Sequence, residues 1–397
     1  MTTQSASSVS PSSPQAPGSV VELLQAMVGF DTVNGNISGK HYPEAALLNW
    51  LETVARSFGF STCRIPVPEG GENLLVTLEV DPDAKWIAFQ SHLDTVAVDG
   101  MTVEPFAAQI RDGKIWGRGT CDTKGTGSSM LWAMRTYASG ENRPNNVALI
   151  FGADEEYGMT GIKAVAANWP AMGFAPVGVI VGEPTSLQPI IAHNGVVRWR
   201  LVTRGVAAHS SQPSEGKSAI SAMVKLIEAL ESRFIPTITA THEMTGSAAA
   251  SINMVQGGSA FNIIPDYCVA SVDRRLVPGE TPEDAFDQLK AFVETFVCDT
   301  SIDVEIEPVI VAPPLVPDGS RAFIESVCKS LAVSGLSPDP RGVAFATDGG
   351  TLSEIGVPTV ILGPGGIGQA HTKDEFITIE QLERGVEAYL DLMRSLL

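Results

Sequence analysis

The run ALIFGADEEYGMTG at 148–161 sets three acids, Asp154, Glu155 and Glu156, directly behind an apolar stretch. Carboxylates crowded at the end of a buried strand repel one another, and any left unpaired in a low-dielectric cleft is costly to keep charged. Either the run is a solvated turn, or cations gather there. The second reading requires more ligand-type residues where other apolar runs end, and the chain supplies them. WIAFQ leads to His92 and Asp94 in SHLDT, and GRGTCDTKG carries Asp122. VGVIV leads to Glu183 in GEPT, and VPTVILG to His371 in QAHTKDEF. Taken singly, each has a bland account as a satisfied polar group or, for Asp122, as a helix cap. Together they favour the cation. Histidine and carboxylate ligands without cysteine suit catalytic zinc, or cobalt or manganese. Two histidines and three acids exceed what one tetrahedral ion takes; a carboxylate bridging two ions roughly 3.5–4 Å apart accounts for the surplus.

Such residues need elements to position them. NLLVTLEV, KWIAFQSHLD, NVALIFGADEE and VGVIVGE are short apolar runs rich in β-branched residues, while VVELLQAM, PEAALLNWLETVARSF and SSMLWAMRTYA have helical spacing. That alternation predicts an α/β sheet whose buried strands deliver functional groups just beyond their ends. From about Asn194 the order changes to strand VVRWRLVTRG, helix KSAISAMVKLIEALESRF, strands SINMVQGG and YCVASVDRRL, helix TPEDAFDQLKAFVETFV and strand SIDVEIE. This β-α-β-β-α-β order is that of a small ferredoxin-like α+β domain. After Pro313 and Pro314 the α/β pattern resumes. The expected division is a disordered tail at 1–19, an α/β domain from 20–193 and 312–397, and an inserted domain at 194–311.

Composition narrows the function. The chain has 397 residues and a net charge of −19, which argues against nucleic acid or an anionic membrane as partner. No apolar run approaches the ~18–20 residues of a membrane span. The start, MTTQSASSVSPSSPQAPGS, lacks the basic and apolar regions of a secretory signal. Five scattered cysteines without a CxxC indicate neither a disulfide framework nor a cysteine zinc site, so a reducing cytoplasm is expected. GPGGIG at 363–368 fits GxGxxG, but QAHTKDEF follows it where a dinucleotide site needs a helix. SQPSEGKS has Ser211 in place of the first glycine of a phosphate-binding loop, and HEMTG lacks the second histidine of HExxH.

The motifs HLDT, GRGTCDTKG, DEEYGMTG, GEPT, GVAAHSSQP and QAHTKDE together resemble the dinuclear zinc metallopeptidases and deacylases. That family includes acetylornithine deacetylase, succinyl-diaminopimelate desuccinylase, aminoacylase and glutamate carboxypeptidase. GPGGIGQAHTKDEF looks most like the acetylornithine deacetylase branch, from which SHLDT and DTKGTGSS depart. The resemblance implies a large α/β catalytic domain with an inserted ferredoxin-like lid and dimerisation domain. It implies two zinc ions, replaceable by cobalt or manganese, with Asp122 bridging, His92 and Glu183 on one ion, and Glu156 and His371 on the other. Asp94 would orient His92, and Glu155 would be the general base for a bridging hydroxide attacking an amide carbonyl. His209 would stabilise the oxyanion, reaching the partner's site in a homodimer. Asn262 and Arg275 would bind substrate; strand alternation lets only one of Arg274 and Arg275 face the cleft.

The expected substrate is a small N-acyl amino acid or short peptide, as in arginine biosynthesis. Desuccinylase, dipeptidase and carboxypeptidase activities are alternatives. A non-catalytic binding protein on the same fold would be expected to lose Glu155 or a ligand, and neither is lost. His41, His193 and His242 read as surface or core residues, and Cys121 as a small buried filler.

Overall fold

The computed structural model describes residues 16–68, 70–300 and 302–395. Residues 1–15 of the expected tail lie outside that range. The residues that follow are tied down: Pro17 O accepts from Arg135 Nη1 at 3.2 Å, and Ser19 caps the helix Val20–Val28.

Eight strands form one mixed sheet in the order Ser61–Pro66, Glu72–Leu78, Asn146–Gly152, Trp86–His92, Pro176–Val181, Thr359–Ile361, Ile190–His193, Arg341–Val343. The third to sixth of these run parallel. Parallel strands are covered on both faces, which is why their sequences are apolar without alternation. On one face Leu23, Leu51, Met134, Val327 and Tyr389, from five helices, pack against Phe89, Leu149 and Ile180. On the other, Ile162, Val165 and Leu352 meet Ala148, Ile150, Val179 and Ile361. With four strands pointing the same way, their carboxyl ends share one edge, and the ligand-type residues fall there.

Between His193 and Leu315 the chain builds a second, antiparallel sheet in the order Ala249–Gly257, Tyr267–Leu276, Gly195–Arg204, Val304–Ala312. The helices Ala219–Ala229 and Pro282–Thr300 cover one side of it, setting Met223, Leu226, Leu289 and Val293 against Val197, Trp199, Leu201 and Val272. The alternate residues Arg198, Arg200, Ser271, Asp273 and Arg275 therefore occupy the uncovered side. The two crossings between the sheets run side by side: His193 and Leu315 exchange backbone hydrogen bonds at 3.3 and 3.1 Å. A Cβ on Gly195 would stand 2.7 Å from the Ala312 carbonyl oxygen, so this close approach needs glycine. His193 is a core residue. Its Nδ1–H donates to Asn194 O at 2.9 Å and its Nε2 accepts from the Thr347 hydroxyl at 3.0 Å. Burial lowers its pKa to about 4, so it stays neutral.

Candidate metal centre

Asp122 stands between two histidines. Its Oδ1 is 3.1 Å from His92 Nε2, and its Oδ2 is 3.2 Å from His371 Nε2. His371 Nε2 is also 3.1 Å from Glu156 Oε1, while His92 Nε2 is 4.0 Å from both Glu155 Oε2 and Glu183 Oε1. The two oxygens of one carboxylate thus face two separate groups, His92 with Glu183 and His371 with Glu156. One ligand atom each of His92, Asp122 and Glu156 lie within 4.8 Å of one another.

The acid run divides its labour. Asp154 has a left-handed backbone (φ 58°) and turns inward, accepting from Asn34 Nδ2 at 2.8 Å and Thr160 Oγ1 at 2.6 Å. Glu156 points toward His371. Glu155 points toward His92, and its carboxylate accepts no hydrogen bond from a described residue. Neighbouring side chains diverge, so adjacent acids need not share one spot.

Asp94 holds this turn. Its carboxylate accepts from the backbone N–H of Glu155 at 2.9 Å, that of Glu156 at 3.0 Å, and Asn34 Nδ2 at 2.8 Å. His92 Nδ1 lies 3.0 Å from the Asp94 carbonyl oxygen and 3.6 Å from Asp94 Oδ1. With a carbonyl as nearest acceptor, Nδ1 carries a proton, and Nε2 is the ring atom that faces the acids. The residue expected to orient His92 therefore does so mainly through its backbone, while its carboxylate organises the acid turn.

Asp122 is positioned by a residue that the motif QAHTKDEF contained without a role. Wholly buried Glu375 accepts from Cys121 N at 2.8 Å, Asp122 N and Gly119 N at 3.0 Å, and Arg118 Nη1 at 2.8 Å. Directly behind the turn, a Cβ on Gly125 would lie 2.2 Å from Thr120 O, so only glycine lets the helix Lys124–Ala138 start there. A second unassigned carboxylate, Asp348, is buried beside the strand Trp86–His92 and accepts from Gln90 Nε2 at 2.6 Å.

Electrostatics favour a cation here. Burial pushes the carboxyls of Glu155 and Glu183 well above the usual carboxylate range, and Glu156 upward as well. Burial would do the same to Asp122, but hydrogen bonds from His371 and His92 hold it below its ordinary value. Hydrogen bonds to Asp122 and Glu156 raise His371 to about 10. Burial opposes the charged form of His92, yet hydrogen bonds to Asp122 and Asp94 keep its pKa raised. Protons on the two histidines thus offset part of the acid charge. Imidazole and carboxylate donors in this number suit borderline divalent ions such as zinc.

The remaining candidates lie on the smaller sheet. His209, in the short strand Ala208–His209, pairs with Ile263–Ile264 and is exposed; its ring bonds Ser211 Oγ at 2.7 Å and forms no hydrogen bond or ion pair with the metal-centre residues. Exposed Asn262 accepts from Ser210 N, placing it beside His209. Arg274 is buried against Glu280, whereas Arg275 lies on the uncovered face and bonds Asp273 Oδ1 at 2.6 Å. Burial pushes the Cys121 thiol far up, in keeping with an inert filler, and all five cysteines are free.

Residues 88–395 match the family described as peptidase family M20/M25/M40. Over 382 residues the chain is 30% identical to an acetylornithine deacetylase of Yersinia pseudotuberculosis, spanning 91% of this chain and 94% of the relative. A metallo-carboxypeptidase of the M20 family from Sulfolobus solfataricus superposes with a TM-score of 0.78 at 17% identity, over 95% of this chain and 98% of the other. A dinuclear metal-binding M20 peptidase from Bacillus subtilis does so with a TM-score of 0.66 at 15% identity, over 94% and 96%. At these identities the two structures speak for the fold.

Proposed function

The chain belongs to peptidase family M20/M25/M40, and we propose that it removes the acyl group from N-acyl amino acids with two bound metal ions. Hydrolysis of amide bonds as such follows from the family and its acetylornithine deacetylase relatives. The finer reading is carried by the Asp122 carboxylate, with one oxygen toward His92 and the other toward His371. In this reading Asp122 would be shared by the two ions, His92 and Glu183 would hold one, and His371 and Glu156 would hold the other. Zinc is the expected metal, with cobalt or manganese as substitutes. When bound, such ions supply Lewis acidity and make water a stronger acid.

The chain's own residues do the rest. Glu155 takes a proton from the attacking water and returns it to the departing amine. Its burial raises its affinity for that proton. Asp94 fixes Glu155 through its N–H, and Arg275 with Asn262 receives the α-carboxylate of the substrate. Segments 20–193 and 312–397 form the catalytic domain in this reading, and 194–311 an inserted lid and dimerisation domain.

Chelation is expected to abolish amine release from N-acetyl-ornithine, N-succinyl-diaminopimelate, N-acetyl-methionine or a dipeptide, and zinc or cobalt to restore it. Turnover surviving complete metal removal would sink this reading. A preference for N-acetyl-ornithine would put the protein in arginine biosynthesis. No described helix is long and apolar enough to cross a membrane, and we assign the enzyme to the cytoplasm.

His209 is exposed and forms no hydrogen bond or ion pair with the metal centre of its own chain, which supports a homodimer in which it serves the partner's oxyanion. Mixing Glu155→Ala and His209→Ala proteins should then regain activity. No recovery, with subunit exchange verified, would assign His209 to its own chain's site.

A further inference from the structure

Asn34 reaches the acid turn from a distant part of the chain, 60 residues before Asp94 and 120 before Asp154. Its segment is stitched to the one that follows His92. Asn34 N donates to Thr95 O at 2.9 Å, Thr95 N to Thr32 O at 3.1 Å, and the Thr32 hydroxyl to Leu93 O at 2.7 Å. The Asn34 side chain, buried, gives one amide hydrogen to Asp94 Oδ2 and the other to Asp154 Oδ1, both at 2.8 Å. Its Oδ1 accepts from Asn36 N at 2.9 Å. That orientation of the amide is forced, because the reverse would set its oxygen against two carboxylates and its hydrogens against an N–H.

These contacts close a ring. Asp94 holds the N–H groups of Glu155 and Glu156, Asp154 precedes them in the chain, and the Asn34 amide ties Asp154 back to Asp94. Without that amide, two acids that repel each other would face across the turn. Packing helps little on this side, where Asn34, Asp154 and Thr160 line a cavity of about 230 Å³. We infer that Asn34 is a positioning residue for the hydrolysis, fixing the turn so that Glu155 faces His92 while Glu156 faces His371. The inference rests on the hydrolase reading of Glu155 and adds a residue outside all of the motifs that carry it. Asn34 touches neither substrate nor metal in that reading and acts only through the turn.

Asn34→Asp keeps the size of the side chain and removes both donors. With zinc saturating and metal content checked, its kcat on the best substrate of the panel above is expected to fall by about 10–100-fold. KM should stay within about twofold, since the α-carboxylate is received on the smaller sheet. Asn36→Ala, at a side chain that lines the same cavity without bonding either acid, should keep wild-type kcat. Amide hydrogen exchange in the metal-free protein, read by mass spectrometry, should quicken by about tenfold in a peptide spanning 150–158 and stay unchanged in the helix Lys124–Ala138. Should Asn34→Asp fail to fold, Asn34→Ser, too short to reach the acids and uncharged, takes its place. Wild-type kcat, a loss carried by KM, or wild-type exchange at 150–158 overturns the inference. So does exchange that quickens equally in the helix, which would be general destabilisation. If the wild type turns over nothing in the panel, the hydrolase reading fails by itself, and exchange alone decides whether Asn34 holds the turn.

Discussion

Glu155→Gln is expected to lower kcat by about two to four orders of magnitude while metal content stays at the wild-type level. The substitution keeps size and polarity and removes only the proton acceptor. Nothing in the fold leans on the Glu155 carboxylate: it accepts no hydrogen bond from a described residue, and the turn is held through the Glu155 N–H by Asp94. His92 Nε2 lies 4.0 Å from that carboxylate, beyond hydrogen-bond distance. The adjacent Glu156 meets His371 instead, so metal retention should not depend on Glu155. Steady-state kinetics with elemental analysis of the purified variant separates the roles. Near-wild-type turnover would remove Glu155 as the base, and loss of metal would make it a ligand.

Glu375→Ala should have the largest effect on stability, about 3–5 kcal/mol, because it leaves a buried guanidinium without its counter-charge. Arg118 is paired to Glu375 at 2.8 Å with both side chains almost fully enclosed. Three backbone N–H groups of the turn, from Gly119, Cys121 and Asp122, lose their acceptor at the same time. Since that turn presents Asp122, metal affinity should weaken by about 10–100-fold. Urea denaturation with chelator present isolates the stability change, and competition against a zinc indicator gives the affinity. Glu375→Gln, which keeps one acceptor oxygen, should fall between. A Glu375→Ala protein with wild-type midpoint and wild-type zinc affinity would show that Glu375 does not organise the turn.

How much of this was legible before folding depended on whether a residue's neighbours in sequence were also its neighbours in space. The four central strands could be read because parallel, doubly covered strands leave continuous apolar runs, and His92, Glu156 and Glu183 stand within a few positions of their ends. The smaller sheet could be read because its strands alternate and its helices carry long apolar stripes. Ser61–Pro66, Ile190–His193 and Arg341–Val343 escaped notice. Ser61–Pro66 is a half-exposed edge strand with few apolar residues, and the short Ile190–His193 and Arg341–Val343 become strands only by pairing with partners distant in the chain. The carboxylate of Glu375 meets the Cys121 N–H across 254 residues of chain, which no local pattern encodes.

By itself, then, the sequence determined an α/β framework with an inserted α+β unit and a set of histidines and acids placed beyond strand ends, since periodicity and residue chemistry are local properties. Tertiary structure alone decided how those residues share the work. Asp154 became a turn acid because its backbone is left-handed, and Asp94 a brace for two N–H groups as well as for His92. Arg274 went to Glu280 and Arg275 to the open face, a choice that alternation left undetermined. Arg198 and Arg200 came to share a cavity with Tyr157, because what a side chain confronts across a cleft is set by distant segments packing together.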